Sequence, residues 1–208
     1  MLKPLFLLPE VWSPDKARRI MTAISKWFYR FSTGWIALLG LIIFLVFSAL
    51  TLPSQSAALE RYSQGLGSPD TTLYRAADLL RMAEVYGSEG RREFVKARWT
   101  FDLAFPLVYT FFLVTSISWL LNKGIQLNSK WRMLNLVPFI GMVFDFLENS
   151  ATSLVMANFP SHLSVAEMSA PFFTLFKWLF IDASFVVLLA AGSIALFKKS
   201  GKRKELVG

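Results

Sequence analysis

The sequence contains no cysteine and a single histidine, His162, among its 208 residues. The first absence excludes disulfides, thiolate nucleophiles and cysteine-based zinc sites. The second leaves one imidazole, which stands beside Pro160 in the segment FPSHLS and reads as a surface residue. Charge is scarce as well: Asp, Glu, Lys and Arg make up 17% of the chain, against about a quarter in ordinary soluble domains. Catalytic signatures are missing too. Gly90-Arg91-Arg92 has neither the spacing of a phosphate loop nor its Lys-Ser/Thr pair, and no Gly-x-Ser-x-Gly or His-Glu-x-x-His occurs. No internal repeat, low-complexity tract or break in composition divides the chain, so one domain, 1–208, is expected.

What is present is apolar surface. Fifty-four per cent of the residues are hydrophobic, an excess that one soluble core of this size cannot hide, so part of it has to face lipid. Four stretches are long enough to cross a hydrocarbon layer, which takes about 20 helical residues. They are 34–52, 99–121, 133–158 and 171–197, and the first carries no charge. The expectation is an all-α integral membrane protein with a four-transmembrane-helix bundle.

The net charge of +8 resembles a nucleic-acid footprint in magnitude only. The cations flank the apolar runs instead of gathering on one face, so membrane topology explains them and no nucleic-acid partner is expected. Lys3, Lys16, Arg18, Arg19, Lys26 and Arg30 precede the first span, against Glu10 and Asp15. Lys123, Lys130 and Arg132 lie between the second and third. Lys198, Lys199, Lys202, Arg203 and Lys204 form a basic tail, 198–208, that reads as disordered. The loop from Asn158 to Ala170 has no Lys or Arg. Both termini are therefore expected on the cytoplasmic side of a cell membrane, read as the cytoplasmic membrane of a prokaryote. The first apolar run is longer and later than a cleaved signal's, which points to an uncleaved signal anchor.

Two segments outside the spans carry helical patterns. In 1–32, Ser13-Pro14-Asp15 is a helix start, and Ala17, Ile20, Met21, Ile24, Trp27, Phe28 and Phe31 then recur at three- and four-residue steps. Lys16, Arg19, Lys26 and Arg30 fall largely off that face. Such a basic amphipathic helix suits an anionic lipid surface; the alternative is that its apolar face packs under the bundle. In 53–98, Ser68-Pro69-Asp70 is a second start, followed by Leu73, Ala76, Ala77, Leu80 and Ala83. A further piece from Ser88 is expected to run straight into the second span. Together these form an extracytoplasmic helical cap, a candidate surface for a membrane-protein partner.

Chemistry is expected where polar groups sit inside the spans, because a charge at the bilayer centre costs about 2.5–3.5 kcal/mol on insertion scales. Asp145, Glu148, Asn149 and Thr152 stand at i, i+3, i+4 and i+7, on one helical face. Asp102 and Tyr109 share a face of the second span, with Arg98 placed to pair with Asp102. In the fourth, Thr174, Trp178 and Asp182 form an i, i+4, i+8 row, with Lys177 about a turn shallower than Asp182. These groups are expected to converge in the bundle interior. Four carboxylates and a lysine would bind a proton or cation, hold a hard divalent ion through oxygen ligands, or pin helices together. Three function classes stay open: a ligand- or ion-binding membrane protein, in the manner of a transport component; a membrane-embedded enzyme acting on a lipid-like substrate; and a scaffold or accessory subunit. No cofactor is identified.

Overall fold

The computed structural model describes residues 13–69 and 73–205, and every regular element among them is helical. Helix α1 is Pro14–Phe31 and α2 is Gly34–Ser63. Helices α3, Ala76–Val85, and α4, Gly87–Arg98, follow, then α5, Phe101–Gly124. A 3-10 segment, Lys130–Leu136, leads into α6, Val137–Asn158, and the chain closes with α7, Ser164–Glu205.

Three helical units are long and apolar enough to cross a membrane: Gly34–Ser63, Gly87–Gly124 and Ser164–Ser200. This is the mark of a membrane protein. The third expected span, 133–158, corresponds to α6, but Asp145, Glu148 and Asn149 at its middle lower its hydropathy and keep it outside that set.

Several boundaries differ from the expected ones, each for a local reason. Helix α1 begins at Pro14, with the Ser13 hydroxyl accepting from the Lys16 amide at 3.2 Å. Residues 1–12 of the expected 1–32 segment lie outside the described residues. Helix α2 continues eleven residues past the expected end at Leu52 and passes through Pro53. Ser54 donates to the Thr51 carbonyl at 2.9 Å beside that proline, and Ala57, Ala58, Leu59 and Glu60 are good helix formers. The first part of the expected 53–98 segment is therefore a continuation of α2.

Helix α3 starts at Ala76 instead of following Ser68-Pro69-Asp70, whose Asp70 lies outside the described residues; the start is set by the Asp78 carboxylate, which accepts from the Arg75 amide at 2.9 Å. Helix α4 runs into α5 as one unit, Gly87–Gly124, broken only by a two-residue turn at Trp99 and Thr100. Helix α7 starts seven residues before Pro171, because Glu167 accepts from the Leu163 amide at 2.7 Å and closes the first turn. It also continues through Lys198 to Glu205, so the stretch read as a disordered tail is helical to that point.

Helices α5, α6 and α7 pack against one another, with α6 and α7 the most extensive pair, while α2 lies along α5. The core at one end is built from Leu113, Ile117 and Leu121 of α5 with Ile181 and Ala191 of α7. At the other end, Leu79, Met82 and Phe94 of α3 and α4 close over Val155, Met156 and Ala170. Between these two apolar clusters sit the polar groups.

Candidate functional site

The polar cluster starts at the α4–α5 junction. Arg98 ends α4 and Asp102 opens α5, so a four-residue step brings guanidinium and carboxylate together at 2.6 Å. Arg98 is only 2% exposed. Its other contacts are the Ser68 hydroxyl at 3.2 Å, the Asn149 amide oxygen at 3.4 Å and the Phe94 ring, 4.5 Å from guanidinium carbon to centroid. Asn149 of α6 donates in turn to the Asp102 backbone carbonyl at 3.1 Å and to the Asp145 carboxylate at 3.3 Å. The Tyr109 hydroxyl donates to the other oxygen of Asp145 at 3.2 Å. One connected path thus runs from Ser68 through Arg98 and Asn149 to Asp145 and Tyr109.

A second ion pair lies beside it. Lys177 of α7 meets Glu148 of α6, and both side chains are almost wholly buried. Thr152 directs its hydroxyl to the Glu148 carbonyl of its own helix at 2.8 Å, so it supports α6 instead of offering a ligand group.

A cavity of about 240 Å³ opens among α2, α5, α6 and α7. Its polar wall is Asp102, Tyr109, Asp145 and Lys177; Phe44, Phe105, Trp178 and Phe185 line the rest. A second hollow of about 290 Å³ lies between the end of α2, the Gly65–Ser68 turn and Arg98. Leu52, Phe101 and Asp102 belong to both walls, so the two spaces adjoin across the Arg98–Asp102 pair. Gly65 and Gly67 have φ of 85° and 73°, and the absence of a side chain lets the turn bend beside this second hollow.

Four of the eight sequence-predicted site residues therefore reach the cavity: Asp102, Tyr109, Asp145 and Lys177. Glu148, Asn149 and Thr152 stand behind the wall. Asp182 is a correction: it is exposed on α7, away from the cluster. At about 100° per residue, two steps of four turn Asp182 roughly 80° from Thr174. The face α7 buries is instead Thr174, Lys177, Ile181 and Ser184. His162 is exposed, with Nδ1 3.3 Å from Glu167.

Sequence reasoning missed Tyr74. Its hydroxyl lies 3.1 Å from that of Thr174, and burial, reinforced by the nearby Glu148 carboxylate, holds the phenol above its ordinary range. The signal was weak: a lone tyrosine in an outer segment, 100 residues from its partner. Of the aromatic lining, Phe44, Phe105 and Phe185 were also missed, since phenylalanines in an apolar span carry no distinguishing period.

Chemically, the site sets three carboxylates, Asp102, Asp145 and Glu148, against the cations Arg98 and Lys177. Among the described residues, no three Asp, Glu, His or Cys side chains gather as a metal-binding group. Comparison with protein-family models, curated proteins and solved structures gives no match.

Proposed function

We propose that this chain is a multi-pass membrane protein with four spans and both termini cytoplasmic, and that its intramembrane pocket binds a proton or small cation, as a binding or transport component. Support for α6 as the fourth span comes from its length and its two faces. Twenty-two residues extend about 33 Å, enough for a hydrocarbon core of about 30 Å. Asp145, Glu148 and Asn149 turn inward, while Ile140, Val143, Leu147 and Leu154 are exposed. A charged inner face and an apolar outer one suit a helix with lipid on one side only. Helices α3 and α4 then form the extracytoplasmic cap.

The observation that carries the functional reading is Asp145, which stands with Asp102, Tyr109 and Lys177 in the polar wall of a cavity whose remaining lining is mostly aromatic. Its carboxylate is held by Tyr109 and Asn149, and aromatic faces favour a cation at short range. The test uses protons and tetramethylammonium as probes on purified protein at fixed ionic strength. Trp178, in the cavity wall, supplies part of the fluorescence readout. A saturable response is expected in the wild type and should be lost in Asp145→Asn. No saturable response to either probe in the wild type would overturn the reading.

A further inference from the structure

The first helix divides into three sides. At about 100° per residue, Ile20, Ile24, Trp27 and Phe31 share one side, and Arg19, Lys26 and Arg30 lie roughly a third of a turn away. Ser25, Tyr29 and Ser32 occupy the remaining third. Only this last side is buried in the protein. The Ser25 hydroxyl donates to Asn135 at 2.8 Å, and Asn135 donates to Ser118 at 3.0 Å. The Tyr29 hydroxyl donates to the Arg132 carbonyl at 2.7 Å, with the Arg132 guanidinium 3.5 Å above its ring. Helix α1 is thus docked on the α5 end by hydrogen bonds, and its apolar side is left uncovered: Trp27 is 56% exposed and Ile24 42%. The alternative, that this face packs under the bundle, holds only at its edge, where half-buried Phe28 meets Phe139 with ring centroids 5.4 Å apart.

We infer that α1 lies in the plane of the membrane with Ile20, Ile24, Trp27 and Phe31 set into the headgroup boundary and Arg19, Lys26 and Arg30 against anionic lipid phosphate. Two observations commit the face to a bilayer over another protein. First, only Ser32 and Thr33 separate α1 from α2, whose Trp35, Leu39 and Leu45 are exposed and which is apolar enough to cross a membrane. A helix tethered that closely to a span and docked beside its start must sit at the membrane surface. Second, the cations flank the apolar row on one side, the arrangement of an interfacial helix at an anionic surface. The inference rests on the membrane placement proposed above, but not on the pocket.

The 208-residue chain has no cysteine, so single-cysteine variants carry a fluorescent probe cleanly. Ile24→Cys reports on α1, and Leu45→Cys on α2 serves as the control for membrane placement. Both are labelled with an environment-sensitive dye in vesicles of phosphatidylcholine alone or mixed with phosphatidylglycerol. At position 24, quenching by lipids spin-labelled near the headgroup is expected, with shielding from aqueous iodide that strengthens with phosphatidylglycerol. In an Arg19, Lys26, Arg30→Gln background, that lipid dependence should disappear while quenching at 45 by deep spin labels persists. Iodide access at 24 equal to that of a probe at exposed Lys16, with 45 still lipid-shielded, would overturn the inference alone. Shielding that tracks protein-to-lipid ratio would overturn it in favour of a second copy. Loss of lipid quenching at 45 would instead sink the membrane reading.

Discussion

Three carboxylates that share one region of the membrane domain have three different fates. Glu148 faces Lys177 in a buried ion pair, Asp145 lines the cavity, and Asp182 looks away from both. Removing one partner of a buried ion pair leaves a charge without compensation, typically at about 3–5 kcal/mol. Glu148→Gln should therefore lower thermal stability in detergent by that order, and adding Lys177→Met should restore part of the loss. A Glu148→Gln protein of wild-type stability would contradict the pinning role. Asp182→Asn should leave both stability and cation response unchanged, whereas Asp145→Asn should fold and lose the response. Helical spacing in the sequence showed that Asp145, Glu148 and Asn149 share a face. Which of them meets a cavity and which meets a lysine depends on the rotation of neighbouring helices, and spacing within one helix is silent on that. The Asp182 expectation failed because steps of four residues drift around the helix, so a row of three at that spacing is not one face.

At the scale of elements, close approach and capping decide what periodicity alone leaves open. Gly90 of α4 sits against α2: a Cβ there would lie 2.7 Å from the Tyr62 Cβ and 2.8 Å from its Cγ. These atoms are near the backbone and have little room to move, so Gly90→Ala should cost about 1–3 kcal/mol as overpacking. A melting temperature equal to the wild type's would show that the α2–α4 contact tolerates separation. The docking of α1 should depend on alkaline pH. Burial pushes the Tyr29 phenol from 10.0 to about 12, with Arg132 partly offsetting the rise. A folded value above the free one means that this contribution is intact below pH 10 and lost as pH climbs to about 12. Hydrogen exchange in α1 should rise across that window in the wild type, and Tyr29→Phe should remove this component while losing about 0.5–1.5 kcal/mol for the hydrogen bond. The start of α1 was legible because Ser-Pro-Asp is a local signal. The extension of α2 through Pro53 was not, because a proline reads as a stop unless neighbouring turns hold the helix together.

For the whole molecule, apolar length revealed the helices but not how they assemble. Helices α5, α6 and α7 form the mutually packed core, and α2 leans on α5, leaving a space among α2, α5, α6 and α7. That gap becomes the cavity, and no single segment's pattern encodes it. Charge asymmetry between loops suggests the orientation, and the hollow beside Arg98 suggests the direction of access. We propose that the intramembrane pocket opens outward and prefers cations. The most direct test is a cysteine placed in the cavity wall at Phe105 and exposed, in intact cells, to membrane-impermeant methanethiosulfonates. A trimethylammonium reagent added outside should modify Phe105→Cys faster than a sulfonate reagent of similar size, and Asp145→Asn should reduce the difference. Failure of both reagents from outside, or modification only from the cytoplasmic side, would contradict the account.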